Sequence, residues 1–212
     1  MEVSRQHGET DWEEAGRGPR ARTRRLMLDT AIRLMQGGAT PSVSEAAEAA
    51  GVSRATAYRY FPSQAALVQS VVDEGLGPIL TWSSNSRNAE SRVAELIDTS
   101  LPRIEEFEAT FKAALKLSLE QWARRQAGTL GEEPQFTRGH RIDLLKDALE
   151  PLRGELPPER FERLAQGLSL VFGVEVLIVL KDIWGLDGDA TRSVAQWAAR
   201  SMVRAMVLEG DV

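Results

Sequence analysis

TPSVSEAAEAAGVSRATAYRYFPSQAAL, from Thr40 to Leu67, carries its own punctuation. Ser42 followed three residues later by Glu45 is a capping box: the hydroxyl takes a backbone N–H, and the carboxylate reaches back to the cap's own N–H. A helix therefore begins near Val43, and Val43, Ala46, Ala47 and Ala50 recur at the spacing of one buried face, with alanines small enough for a second helix to approach closely. Gly51 ends it as the residue that takes a left-handed conformation without steric cost. Ser53 caps the next helix, Pro62 stops that one, and Ser63 caps a third. Two short helices around a glycine turn, with a further helix behind them, make a helix-turn-helix.

In such a motif the first turn of the second helix, here Arg54, Ala55 and Thr56, is presented to base edges in the major groove. Val52, Ala57 and Phe61 are the positions that pack this helix onto its neighbours. Tyr58, Arg59 and Tyr60 fall between these sets and can donate to phosphate oxygens, which sets register without reading sequence. The order AAGVSRATAYRYFPSQAAL resembles the N-terminal domain of the tetracycline-repressor (TetR) family of bacterial transcription regulators. That family has an alanine-glycine-valine-serine turn, a tyrosine, an aromatic-phenylalanine pair, then serine and usually lysine. The similarity runs from about Thr23 to about Leu67 and takes in the preceding helix, RRLMLDTAIRLMQGG. It implies an operator-binding regulator with DNA contacts drawn from Thr23, Ser42, Ser53, Arg54, Ala55, Thr56, Tyr58, Arg59, Tyr60 and Gln64. It also implies a homodimer and a small-molecule effector of unknown identity. Two positions depart from the pattern. Gln64 stands where lysine usually contacts phosphate, and Ala46 where isoleucine is usual.

Charge agrees with a local nucleic-acid site. Residues 17–60 hold eight arginines against Asp29, Glu45 and Glu48, a net of +5 in a chain whose total is −5. The remainder is correspondingly acidic, so the basic module is confined to one part of the protein. The alternative for the same residues is a three-helix packing motif with solvated arginines, in an all-α small-molecule-binding or adaptor protein that has lost DNA binding. Gln64 is its support.

The 212 residues are 42% hydrophobic and 27% charged, an ordinary globular composition with enough chain for a buried core. There is no cysteine, and His7 and His140 are the two histidines. Thiolate metal sites are excluded and a tetrahedral zinc site lacks ligands, so no metal or cofactor is expected, and a reducing cytoplasm fits. No G-x-S-x-G, P-loop, H-E-x-x-H or cysteine nucleophile occurs, and the reading is non-enzymatic.

In chain order, residues 1–19 lack the apolar core of a signal peptide and read as a disordered tail. Arg17 to Arg25 form a basic run leading into the first helix, either an arm for a minor groove or a source of nonspecific attraction. Leu26, Leu28, Ala31, Ile32, Leu34 and Met35 are that helix's apolar positions, and Gly37-Gly38 end it. A helix-turn-helix domain over 20–67 is followed by an effector-binding and dimerisation domain over 68–212. Its first helix continues to about Gly75, and Trp82 reads as core. A helix that begins near Ala89 or Ser91 and runs towards Phe107 should break or kink near its middle at Pro102. Phe111, Leu115, Leu119 and Trp122 make a stripe that lines either an effector cavity or ordinary core. Residues 126–137 read as a loop. Helices follow from about Arg138, with Ile142, Leu145, Leu149 and Leu152 inward, and from about Pro158.

Leu168 to Leu180 is apolar nearly all round, too short and too charged at Glu175 to span a membrane. A buried Glu175 must be neutralised, paired with Arg141 or Lys181, or matched to a ligand donor. Together with Phe172 and Arg141 it completes the candidate effector pocket. The final helix, Asp189 to Leu208, carries the stripe Val194, Trp197, Ala198, Ser201, Met202 and Ala205. The resemblance implies that this helix and the one before it, through Leu168, Phe172, Val176 and Val179, pair with their copies in a four-helix dimer bundle. With no sustained period-2 alternation, the fold class is all-α.

Overall fold

The computed structural model describes residues 18–136 and 139–208, and among these every regular element is helical. Two compact units divide the described residues: one from 18–71 and 113–136, the other from 72–112 and 139–208. The expected N-terminal tail lies almost wholly outside the described residues.

In the first unit, α1 (Pro19–Gln36) opens with a proline at its first turn, where the missing N–H costs nothing. Arg20, Arg22, Arg24 and Arg25 are therefore helical and exposed, not an arm ahead of the helix. Met27, Leu28, Thr30, Ala31 and Met35 face inward, so Leu28, Ala31 and Met35 of the expected face are buried, while Leu26 is 46% exposed and Met27 takes a place inside. α2 (Val43–Ala49) carries the expected capping box, with Glu45 N–H to Ser42 Oγ at 3.2 Å and Ser42 N–H to Glu45 Oε2 at 2.7 Å. Gly51 turns the chain at φ +65°. α3 (Arg54–Tyr60) follows its Ser53 cap and ends at Phe61, and α1, α2 and α3 pack on one another. α4 (Gln64–Leu76) runs on into the second unit from residue 72; in the first unit it buries Ala65, Leu67, Val68 and Val71.

α6 (Glu108–Gln126) contributes its later part to this unit. Its inward positions there are Ala113, Ala114, Leu117 and Gln121, whereas Leu119 and Trp122 are 59% and 58% exposed. Buried Gln121 accepts the Phe136 N–H at 2.8 Å and donates to the Pro134 carbonyl at 3.1 Å, which pins the loop that follows the helix.

In the second unit, α5 (Ala89–Glu106) runs through Pro102 without a break. Pro102 and Asp98 are both exposed, so the missing N–H falls on the solvent-facing side of the helix. Trp82 is half-exposed, with the Arg92 guanidinium 5.7 Å from its ring centre, and is not core. α7 (His140–Ala148) buries Leu144, Leu145 and Ala148 and leaves Ile142 51% exposed. α8 (Pro158–Leu168) packs Phe161, Leu164, Ala165 and Leu168 inward.

The apolar stretch after α8 is not one helix. A 3-10 turn (Ser169–Val171) gives way to an extended Phe172 and to Gly173 at φ +111°, then to α9 (Val174–Leu177), which widens into a π-helical turn (Ile178–Ile183). α10 (Gly188–Leu208) lies antiparallel to α5, with Gln196 donating to the Ala94 carbonyl at 3.2 Å and Arg192 3.4 Å from Asp98. Thr191, Ala195, Ala199, Val203 and Met206 form its buried face. No single helix among the described residues is long and apolar enough to cross a membrane.

Candidate functional site

The Ser53 hydroxyl accepts the Thr56 N–H at 3.3 Å and donates to Thr56 Oγ1 at 2.9 Å. This holds the first turn of α3 so that Arg54 and Ala55 are exposed and Thr56 half-exposed, while Ala57 beneath them is fully buried and anchors the helix. Arg59 is exposed on the next turn. Tyr58 is 46% exposed, with its hydroxyl 3.4 Å from Ser44 Oγ on α2. Behind the helix, Phe61 is buried and the Arg24 guanidinium lies 5.4 Å from its ring centre, a cation–π contact from α1. One surface of this unit therefore combines an exposed polar turn, a tyrosine and an arginine.

Other expected contact residues are engaged inside the domain. Thr23 Oγ1 donates to the Pro19 carbonyl at 2.9 Å, Ser42 serves the capping box, and Gln64 Nε2 donates to the Thr40 carbonyl at 2.8 Å. Tyr60 is half-buried. The backbone N–H of Ser42 pulls the Glu45 carboxyl below its ordinary range, and the Ser42 hydroxyl adds to this.

The expected effector residues divide between the units. In the first, Leu115 is half-buried and Leu119 and Trp122 face outward. In the second, Phe111 and Phe172 are core, and Phe111 packs against Gly75. Glu175 is only part-buried, its side chain 34% exposed, and it pairs with Arg141: Arg141 Nη2 donates to Glu175 Oε2 at 2.6 Å, and Arg141 Nη1 to the Ser169 carbonyl at 3.2 Å. Gly173 admits that guanidinium, since a Cβ there would stand 2.7 Å from Nη2. The neighbouring His140 holds Asp73 of α4, Nε2 to Oδ1, at 2.7 Å.

Lys181, the other partner considered for Glu175, instead bonds Glu105 at 2.6 Å and Glu108 at 2.8 Å, while Lys112 joins Glu108 to Asp182. Burial pushes the Glu108 carboxyl up, but the two ammonium groups outweigh it and hold it below the usual range. A groove of about 530 Å³, lined in part by Arg87, Leu152, Glu155, Val203 and Val207, contains none of the expected effector residues. Nothing local in the sequence marks it, because its walls come from segments far apart in the chain.

Of the expected dimer residues, Leu168, Phe172 and Val176 are buried within the protomer. Val179, Val194 and Trp197 are 46%, 38% and 70% exposed, Ser201 and Ala205 are exposed, and Ala198 and Met202 are half-buried. Leu170, Ile183 and Trp184, which the sequence reading did not select, are 76%, 72% and 73% exposed. Among the described residues no group of three histidine or carboxylate side chains is arranged to hold a metal ion.

Residues 27–71 match the family model of bacterial regulatory proteins, tetR family. The chain is 39% identical over 54 residues to the HTH-type transcriptional repressor LfrR of Mycolicibacterium smegmatis, a match spanning 26% of this chain and 29% of that relative. A crystal structure of a TetR transcriptional regulator from Rhodococcus sp. RHA1 superposes over 88% of this chain and 97% of its own, with a TM-score of 0.57 at 18% identity. That likeness concerns the fold.

Proposed function

We propose that this chain, whose residues 27–71 match the model of bacterial regulatory proteins, tetR family, is a repressor that binds a palindromic operator as a homodimer and releases it when a small molecule binds. The observation that carries the DNA-binding half is the exposed Arg54–Ala55–Thr56 turn, seated on its Ser53 cap in the one basic part of an acidic chain. The homodimer reading is supported by Leu170, Ile183, Trp184 and Trp197, large apolar side chains exposed within the second unit. Operator DNA then places the protein in the cytoplasm.

The effector half is supported by α7. Its adjacent residues His140 and Arg141 hold a carboxylate on α4 and another on α9. A ligand that separates Arg141 from Glu175 acts on the same short helix that grips α4, the helix directly following the recognition helix in the chain. Only a ligand that binds the DNA-incompetent arrangement better can shift the equilibrium.

The test is fluorescence anisotropy with duplex tiles from the protein's own promoter region. One pseudo-palindromic tile should bind two copies of the chain, with major-groove sites about 34–36 Å apart or at a related spacing. Affinity should fall with salt at about −0.9 log unit per phosphate neutralised. Equal affinity for every tile and for a scrambled duplex would remove the operator reading.

A further inference from the structure

Gln64 is the first residue of α4, and its side chain reaches back across 24 residues of chain to donate from Nε2 to the Thr40 carbonyl at 2.8 Å, in a part-buried position. Thr40 precedes the buried Pro41, which has no N–H, and Pro41 precedes Ser42, the cap of α2. The segment leading into α2 is thus held from outside by a side chain. Everything between the two bonded residues is the helix pair α2 and α3 with its caps. Each other joint of this loop is closed locally: Ser42 with Glu45, Ser53 with Thr56, and Ser63 Oγ accepting the Ala66 N–H at 3.1 Å. The Gln64 amide joins the two ends of the loop to each other.

We propose that Gln64 is a positioning residue for DNA recognition: its amide fixes the α2–α3 pair against the start of α4, and so sets the angle at which Arg54 and Thr56 meet the bases. The proposal rests on the DNA-binding reading above. It differs from a phosphate contact in what it affects. An amide on a phosphate strengthens binding to any duplex, whereas a clamp on the recognition helix strengthens only complexes whose base contacts need that angle.

The experiment uses the full chain with Gln64→Met, which keeps length and neutrality and removes the donor. Binding is measured on the operator tile and on a scrambled duplex of equal length and composition. A typical net hydrogen-bond contribution corresponds to about a three- to tenfold loss on the operator, with the scrambled duplex unchanged. Equal losses on both duplexes, or no loss on either, overturn the proposal. A second measurement needs no variant to fold: in the wild-type protein the side-chain amide resonances assigned to Gln64, resolved from those of the hydrogen-bonded Gln121 and Gln196, should exchange slowly with solvent, and fast exchange at Gln64 also overturns the clamp. A wild-type protein that fails to distinguish the two duplexes defeats the DNA-recognition reading itself, and the clamp with it.

Discussion

Replacing Trp197 tests the assembly most directly, because the residue faces out of the folded unit. It is 70% exposed, whereas Ala195 and Ala199 on the opposite face of α10 are 1% and 0% exposed. Truncation to alanine should therefore leave the protomer's own packing intact. A tryptophan side chain presents roughly 250 Å², so on the order of 170 Å² is open to a partner. If a partner covers half of that, the loss at about 25 cal/mol per Å² is about 2 kcal/mol. A two-fold interface uses the same surface on both copies, which doubles the loss to about 4 kcal/mol, or roughly a thousandfold in dimer Kd. Trp197→Glu should cost more, since an unpaired carboxylate is then buried as well. Sedimentation velocity over a concentration series reads the change, and operator affinity should fall with the dimer. A Trp197→Glu protein that stays dimeric at nanomolar concentration, with wild-type melting behaviour, refutes this face as the interface.

Gly173→Ala should destabilise the second unit by about 2–5 kcal/mol in chemical denaturation, combining positive-φ strain with overpacking against Arg141; a change below about 0.5 kcal/mol would mean that the backbone break is not held as described. The lowered Glu45 carboxyl contributes stability that is present above its ordinary value of 4.5 and is lost as pH falls through the folded value, so α2 should fray in acid. Glu45→Gln should flatten that acid dependence in hydrogen exchange of the α2 amides, and Ser42→Ala should cost about 1 kcal/mol near neutrality. Arg54→Ala should relax preference at one operator position by about 1–3 kcal/mol, read by binding to singly substituted operators; uniform weakening across all of them would assign Arg54 to a phosphate instead.

What the chain's own order determined are the features closed within one helical turn. The Ser42–Glu45 box, the Ser53 and Ser63 caps, the Gly51 turn and the stop at Pro62 each depend on residues three or four apart, so the helix-turn-helix and its exposed first turn were legible before any packing was known. Which face of a helix goes inward was decided only by tertiary structure. α6 carries apolar side chains on more than one face, and periodicity alone selects Leu119 and Trp122, while packing buries Leu117 and Gln121, the last made tolerable by the Phe136 N–H and the Pro134 carbonyl. In α1 the same ambiguity exchanged Leu26 for Met27. The break at Phe172 and Gly173 was hidden because an all-apolar run carries no period to interrupt. Glu175 announced that it needed a partner, but choosing Arg141 over Lys181 required the fold: 34 residues separate Arg141 from Glu175, and Lys181 is occupied by two other carboxylates. Gln64 follows the same logic, since a bond spanning 24 residues leaves no trace in local spacing. Short-range hydrogen bonding is written in sequence order, whereas burial and long-range pairing emerge only when segments distant in the chain compete for the same surface.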